Sequence, residues 1–450
     1  MNPVIIIPTY VAANRKRQSG SITQQYDHAT LVGTEGTLPR CLDSLTQVNG
    51  IGQIIILVVA DAAIQERAAQ TVHAIAQRYP TLHTAVIGAD ELDLLRQRMD
   101  QLNLGDLSEQ INLTSYSASH NLGVALTHAL GFDAVVFIDD SEIIEDPDFL
   151  KKAVYGLGKM TRNGIPILAK TGYYYNENDS YLAEGGNNWY NRHWQQAQLF
   201  NEWIQRAMVG KRISRSNRVC GGCLALHKEA FKRVAFDPWI PRGEDLDYML
   251  NLRMYGSDMW FDNQWSLKHL PPNTGNEGLR FRQDVYRWLY EFRKLEFSRA
   301  QIDLLQIKPS SLQPYPGPML EPGVAKRLRK TANLRALVRP NKAEYRMAAS
   351  AAKNEAATYA DENCGKYFEF QRVWPEVMAR LEGDVVLRNA LVQSAVRRRE
   401  EAEDAQAATM AATIGFVRPI KDAPKQDEEG LDPGVTCEIN LNIQDEQSGE

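Results

Sequence analysis

Three short runs in the first third of the chain are uninterruptedly apolar: Val4 to Ile7, Ile54 to Val59 and Ala134 to Ile138. Strands without polar alternation are buried on both faces, as in a mostly parallel sheet covered by helices. The segments Leu38 to Leu45, Ala62 to Arg78 and Asn121 to Leu130 lie between them and read as helices, so the pattern predicts successive βαβ units. Each apolar run ends in polar residues, and open α/β sheets bind ligands at that carboxyl edge. After about residue 150 the alternation weakens, and Tyr173 to Trp203 becomes rich in aromatic, Asn and Gln residues. Regularity returns at Val219 to Leu270, which includes a strand-like run from Met259 to Trp265. Phe281 to Phe297 and most of 322–410 have helical composition, interrupted by the Pro-rich segment Pro309 to Pro318. The expected organisation is an α/β domain over 1–275 with an aromatic insertion at about 171–210, a helical region over 276–415, and an acidic, disordered tail over 416–450.

Length and charge narrow the function classes. At 450 residues the chain exceeds one average domain, as a core plus an appended region would. A formal charge of -5 argues against a nucleic-acid binder, which collects a basic surplus on one face. No stretch reaches the roughly 18 apolar residues of a membrane-spanning helix, and the chain enters a strand-like run without a signal-peptide pattern, so a cytoplasmic location is expected. Five thinly spread cysteines fit a reducing compartment better than a disulfide framework.

The sharpest chemical feature is Val135-Val136-Phe137-Ile138-Asp139-Asp140-Ser141-Glu142, an apolar strand running into three carboxylates. Crowded like charges call for a cation, and hard oxygen ligands suit Mg²⁺ or Mn²⁺. Acids that merely solubilise a strand end are the alternative. Just upstream, Ser119-His120-Asn121-Leu122-Gly123 opens a helix that leads into this strand.

The stretch Asn121 to Glu142 resembles family 2 glycosyltransferases of the GT-A fold, in which an Asn-x-Gly helix precedes the strand bearing a D-x-D motif. His120 stands where the family usually has Arg, and Ser141 stands two residues after Asp139, so Asp140 and Glu142 are the acids matched to the metal. Ile5-Ile6-Ile7-Pro8-Thr9-Tyr10 resembles the family's first strand and its nucleotide-holding turn. Leu38 to Leu45 resembles the following helix, and Leu57-Val58-Val59-Ala60-Asp61 the second strand, its usual pair of aspartates reduced to Asp61. Cys220-Gly221-Gly222-Cys223 resembles the family's Gly-Gly segment at the donor sugar; a redox or zinc reading of this C-x-x-C finds no further ligands at suitable spacing. Arg242-Gly243-Glu244-Asp245 resembles the motif whose Asp takes a proton from the attacking hydroxyl, and His269 resembles a histidine that completes the metal site.

The resemblance, over roughly residues 3 to 272, implies an α/β, Rossmann-like GT-A fold and a nucleotide-sugar-binding catalytic domain over 1–275, to which composition adds a helical C-terminal extension. It implies Asp245 and Glu244 as catalytic residues. Pro8, Thr9, Tyr10, Asp61, Asn121, Gly123, Asp139, Gly221 and Gly222 would bind the donor, and Asp140, Glu142 and His269 a Mn²⁺ or Mg²⁺ ion. The donor would be a UDP-sugar, with GDP-mannose as the alternative, and a hexose would pass to a hydroxyl with inversion. A retaining enzyme, a nucleotidyltransferase and a non-catalytic GT-A scaffold are the competing readings. The residues themselves add an acceptor expectation: Trp189 and Trp194, among Asn and Gln, suit a saccharide's C–H faces and hydroxyls. Lys326 to Lys330 could form a basic helix on anionic lipid or pack on the core, whereas Arg397 to Arg399 followed by Glu400, Glu401 and Glu403 reads as a solvent-facing helix with internal ion pairs.

Overall fold

A computed structural model describes residues 1–14, 22–26, 28–185, 188–271 and 276–414, with side chains as far as Glu400. The expected tail 416–450 lies outside the described residues. In chain order the elements are β1 (Pro3–Ala12), β2 (Thr30–Leu31), α1 (Leu38–Leu45), β3 (Gln53–Ala60), α2 (Gln65–Ala76), β4 (His83–Ile87), α3 (Ala89–Gln101), α4 (Tyr116–Ala129), β5 (Ala134–Phe137) and β6 (Glu142–Ile143). Then follow α5 (Phe149–Ala153), β7 (Ala169–Tyr175), α6 (Gln196–Met208), β8 (Ile213–Arg215), β9 (Leu224–His227), α7 (Lys228–Phe231), α8 (Glu244–Met254) and β10 (Met259–His269). The C-terminal region is α9 (Glu277–Ser298), α10 (Val324–Val338), α11 (Lys342–Ala351), α12 (Glu355–Leu381) and α13 (Val385–Ile414).

The strands form one sheet in the order β4-β3-β1-β5-β9-β7-β10-β6, with β2 beside β1 and β8 beside β10. β4, β3, β1 and β5 are mutually parallel, β9 runs antiparallel to both β5 and β7, and β10 is parallel to β7. The apolar runs behave as their composition requires. Ile5 and Ile7 of β1 pack with Leu42 of α1 and Val72 of α2, whereas Val4 and Ile6 pack with Leu122 and Leu126 of α4. Successive side chains on a strand point to opposite faces, so both faces of β1 are covered. This is the mostly parallel, helix-flanked sheet that the apolar runs imply.

Three elements differ from expectation. The aromatic stretch begins as β7, a central strand ending at Tyr175, because Tyr173 and Tyr174 pack along β10 rather than in a loop. β4 and α3 carry fewer apolar residues than their neighbours and left no clear pattern.

The C-terminal helices share the core of the sheet. Tyr345, Tyr367, Trp374 and Val377 belong to the same buried cluster as Val4 and Ile6. In the basic stretch of α10, Leu328 is buried as the helix packs on α9 and α11. Arg398 of α13 pairs with Asp90 and Glu91 of α3, both at 2.8 Å, instead of making the ion pairs expected within its own helix. Among the described residues no helix is long and apolar enough to cross a membrane.

The tie between α9 and the sheet domain is a buried ionic cluster. Lys294 of α9 donates to Asp237 at 2.7 Å and to Asp247 of α8 at 2.8 Å, with its ammonium 3.7 Å from the Tyr367 ring centre. All three charged groups are buried, so removing the cation strands two carboxylates in low dielectric. Lys294→Met is expected to lower unfolding stability by about 3–5 kcal/mol in denaturant titration; a loss below about 1 kcal/mol would show that the cluster contributes no such anchor.

Candidate active site

The site forms where β5 leaves the sheet. Asp139 and Asp140 are adjacent, yet they face different surroundings. Asp140 accepts hydrogen bonds from the hydroxyls of Thr9 and Thr37, the latter at 3.1 Å, which ties β5 to β1 and to the start of α1. Asp139 lines the main cavity, of about 790 Å³, together with Tyr174, Gly221, Glu244, Asp245 and His269.

Glu142 is fully buried behind that wall. Its Oε2 accepts the Asp139 amide at 2.8 Å, and its Oε1, which has no hydrogen-bond partner, lies 3.8 Å from Nδ1 of His269. Tyr174 stacks on the His269 ring with centroids 5.1 Å apart, and its hydroxyl accepts the Gly222 amide at 2.8 Å. A Cβ at position 222 would sit 2.1 Å from Glu142 Oε1, so only glycine leaves space for this carboxylate.

Asp245 stands at the start of α8. The Gly221 amide donates to its Oδ2 at 3.1 Å and the Leu246 amide to its Oδ1 at 2.6 Å, fixing the carboxylate on the cavity wall. Gly243 caps the helix with φ of 72°, and the Arg287 guanidinium occupies the space its side chain would fill.

Burial drives the electrostatics. Desolvation, reinforced by the charge of Asp139, pushes the Glu142 carboxyl well above the usual carboxylate range. Desolvation raises Asp140 to about 6 against the opposing hydrogen bonds of Thr9 and Thr37. Glu244 rises to about 8 through burial and then the neighbouring Asp245 charge. Negative charge held at such cost is what a divalent cation would stabilise. Among the described residues no three His, Cys, Asp or Glu side chains form a metal-binding group. A hard cation that takes one or two carboxylates and completes its shell with substrate phosphates does not require one. Asp139 and His269 at the cavity, with the unbonded buried oxygen of Glu142 3.8 Å from the His269 ring, have the chemistry such an ion takes without forming a preassembled cluster.

The structure redistributes several of the sequence-based assignments. Asp140 does not line the cavity; its oxygens serve Thr9 and Thr37, and Asp139 lies at the cavity instead. Asn121 is buried and spends its amide on the backbone of Phe236, at 2.9 and 3.0 Å, so it holds α4 to the segment before α8. Gly123 permits close packing of α4, since a Cβ there would meet Phe137 and Ile6 at 3.1 and 3.2 Å. Pro8 is buried within β1, and Tyr10 packs against Tyr116, 4.6 Å between centroids, which itself reaches the cavity. Asp61 is half-buried at the end of β3, away from the cavity lining. Trp194 lines the cavity, whereas Trp189 is 54% exposed and lies off it. Cys220 and Cys223 are both buried thiols. Sequence reasoning did not single out Arg218, Arg280, Arg287, Arg335 and Arg339 as cavity residues, and named Arg242 only within the Glu-Asp motif. The signal was faint: three of them lie on α9 and α10 and Arg339 directly follows α10, in a region matching no motif.

Fold and site together define an α/β protein with a carboxylate-lined cavity at the carboxyl edge of its sheet, and comparison with known proteins places it in a family. The model of the family described as "Glycosyltransferase like family 2" matches residues 52–290, more than half of the chain, and the protein belongs to that family. Similar solved structures include a mannosyltransferase, PcManGT, from Pyrobaculum calidifontis in complex with GDP-Man and Mn²⁺, at 15% identity over 86% of this chain and 86% of that one, with a TM-score of 0.39. Another is GalNAc-T7 with UDP, GalNAc and Mn²⁺, at 12% identity over 75% of this chain and 58% of that one, with a TM-score of 0.37. No curated protein matches the sequence.

His120, standing where the family usually has Arg, is a neutral core residue. Its Nδ1 lies 2.7 Å from the Tyr116 carbonyl oxygen and its ring packs on Phe137 and Phe236. Burial lowers its pKa to about 4, so the unfolded chain binds the extra proton first. Stability from this group is therefore complete above the unfolded value of about 6.5 and is lost as pH falls towards 4, roughly 3 kcal/mol in all. His120→Asn, which does not titrate, is expected to flatten this acid limb in denaturation measured from pH 7 to 4; an unchanged slope would contradict the assignment.

Proposed function

We propose that this family 2 enzyme transfers a hexose from a UDP-sugar, with GDP-mannose as the alternative donor, to a hydroxyl of a saccharide acceptor, with inversion. The observation that carries the reading is the placement of Asp245 on the same cavity wall as Asp139 and His269, oriented by two backbone amides. Asp245 takes the proton from the acceptor hydroxyl; the oxygen forms its bond to the anomeric carbon as the bond from that carbon to the diphosphate breaks, and the nucleoside diphosphate leaves. Asp139, Glu142 and His269 would hold Mn²⁺ or Mg²⁺, which when bound supplies positive charge to the departing diphosphate. Tyr174 orients His269 by stacking, Gly221 keeps the donor side open to close backbone approach, and Gly222 makes room for Glu142 behind it. Trp194, buried against Trp288, shapes the acceptor-side wall. In this reading the sheet domain to about residue 275 binds the donor, and the helices beyond it complete the acceptor wall.

Calorimetry with UDP and GDP, with Mn²⁺ and with EDTA, tests the donor and the metal together. Binding of one nucleotide is expected to weaken at least about tenfold in EDTA. Asp139→Asn and His269→Ala should each reduce the Mn²⁺-dependent increment, whereas Asp140→Asn should lower stability and leave that increment in place. Equal affinities with and without metal, or an increment abolished by Asp140→Asn alone, would contradict the arrangement.

A further inference from the structure

Six arginines line the cavity beside six carboxylates, yet two of these guanidiniums keep a buried N–H that no acid takes up. Arg242 pairs with Asp284 at 3.1 Å, and Arg339 pairs with Glu277. Arg335 donates to the neutral Asn191 side chain at 2.9 Å and lies over the Phe281 ring, 4.2 Å from its centre. Arg218 lies 4.8 Å over Phe200, with its Nε buried and without a hydrogen-bond partner. Arg287 is 6% exposed and lies over Trp288 at 4.7 Å; its Nε bonds Glu291 at 3.1 Å while its buried Nη2 has no partner. Tyr315, also on the cavity, meets the Phe200 and Trp288 rings edge-on, at 6.0 and 6.4 Å, and so ties together the two rings that carry these guanidiniums.

A buried guanidinium N–H without an acceptor costs free energy until an oxygen takes it. A hydroxyl supplies one weak acceptor, whereas phosphate and carboxylate match the planar fork with two charged oxygens. Taking the cavity as the acceptor chamber, and so resting on the function proposed above, we propose that the acceptor saccharide carries an oxyanion, a phosphate or a carboxylate, held by Arg287 and Arg218. Stacking on Phe200 and Trp288 pre-positions both cations, so little side-chain freedom is lost when the anion binds. Binding of this kind weakens as ionic strength rises.

The test measures binding to the full-length protein of glucose 6-phosphate, glucuronate and glucose by calorimetry or ligand-observed NMR, with UDP and Mn²⁺ present. At least one anionic sugar is expected to bind about tenfold more tightly than glucose, and which one identifies the anion as phosphate or carboxylate. Arg287→Gln and, separately, Arg218→Gln should each remove most of that difference while changing UDP affinity in Mn²⁺ by less than about twofold; if one variant fails to fold, the other decides. Three sugars bound equally well, or none bound at the highest concentration reached, would overturn the proposal. So would variants that lower UDP affinity as much as anion affinity, because the arginines would then serve the donor diphosphate. Loss of anion binding in the variants of a protein that binds no nucleotide with Mn²⁺ would support the anion site and refute the donor reading instead.

Discussion

The cavity depends on how α9 is held against α8, and that rests on one buried cation. Lys294 reaches from α9 to Asp237 and to Asp247. Asp247 lies two residues beyond Asp245 on α8, so the same turn that presents Asp245 to the cavity is fixed to α9 from its other side. From α9 come Glu277, Arg280, Asp284 and Arg287, a large share of the cavity's charged wall. Buried charges repay their desolvation only in good geometry with complete hydrogen bonding. A cluster of one ammonium and two carboxylates therefore sets the relative position of the two helices more narrowly than apolar contact would.

A second constraint acts at the end of β5, where Asp139, Asp140 and Glu142 leave a fully buried strand within four residues. Each has its charge managed separately. Asp140 is bonded by two hydroxyls, Glu142 fits into the space left by Gly222, and Asp139 reaches the cavity. The result is a strand end whose three carboxylates meet three different surroundings.

The sheet was legible in the sequence because its central strands, β1, β3 and β5, are buried on both faces and so carry unbroken apolar runs. The acidic, Gly-Gly and Glu-Asp segments were legible as a set for a related reason: each sits at a strand exit or helix start, where backbone geometry limits the residue types allowed. Which neighbour faces the cavity was not legible. Asp139 and Asp140 differ by one position at the end of a strand, and alternation sends adjacent side chains to opposite sides. Asn121 and Gly123 matched a motif by residue type, but an amide that bonds a buried backbone and a glycine that lets its helix approach the sheet look the same in sequence as ligand contacts. The arginine wall was hidden more deeply. Its members come from the segment before β9, from the approach to α8 and from α9 and α10, and only folding brings them together. No local spacing announces such a surface.

Asp245, as proposed, acts on the acceptor hydroxyl in the cavity shared with Asp139 and His269. Asp245→Asn keeps an oxygen to accept the Gly221 amide and leaves the groups assigned to the donor untouched, so nucleotide affinity in Mn²⁺ should persist. With an accepted sugar pair, transfer should fall by about 10² to 10⁴, and the wild-type product should show by NMR an anomeric configuration inverted from the donor's. Near wild-type transfer by Asp245→Asn, or a product that retains the donor's configuration, would contradict the account.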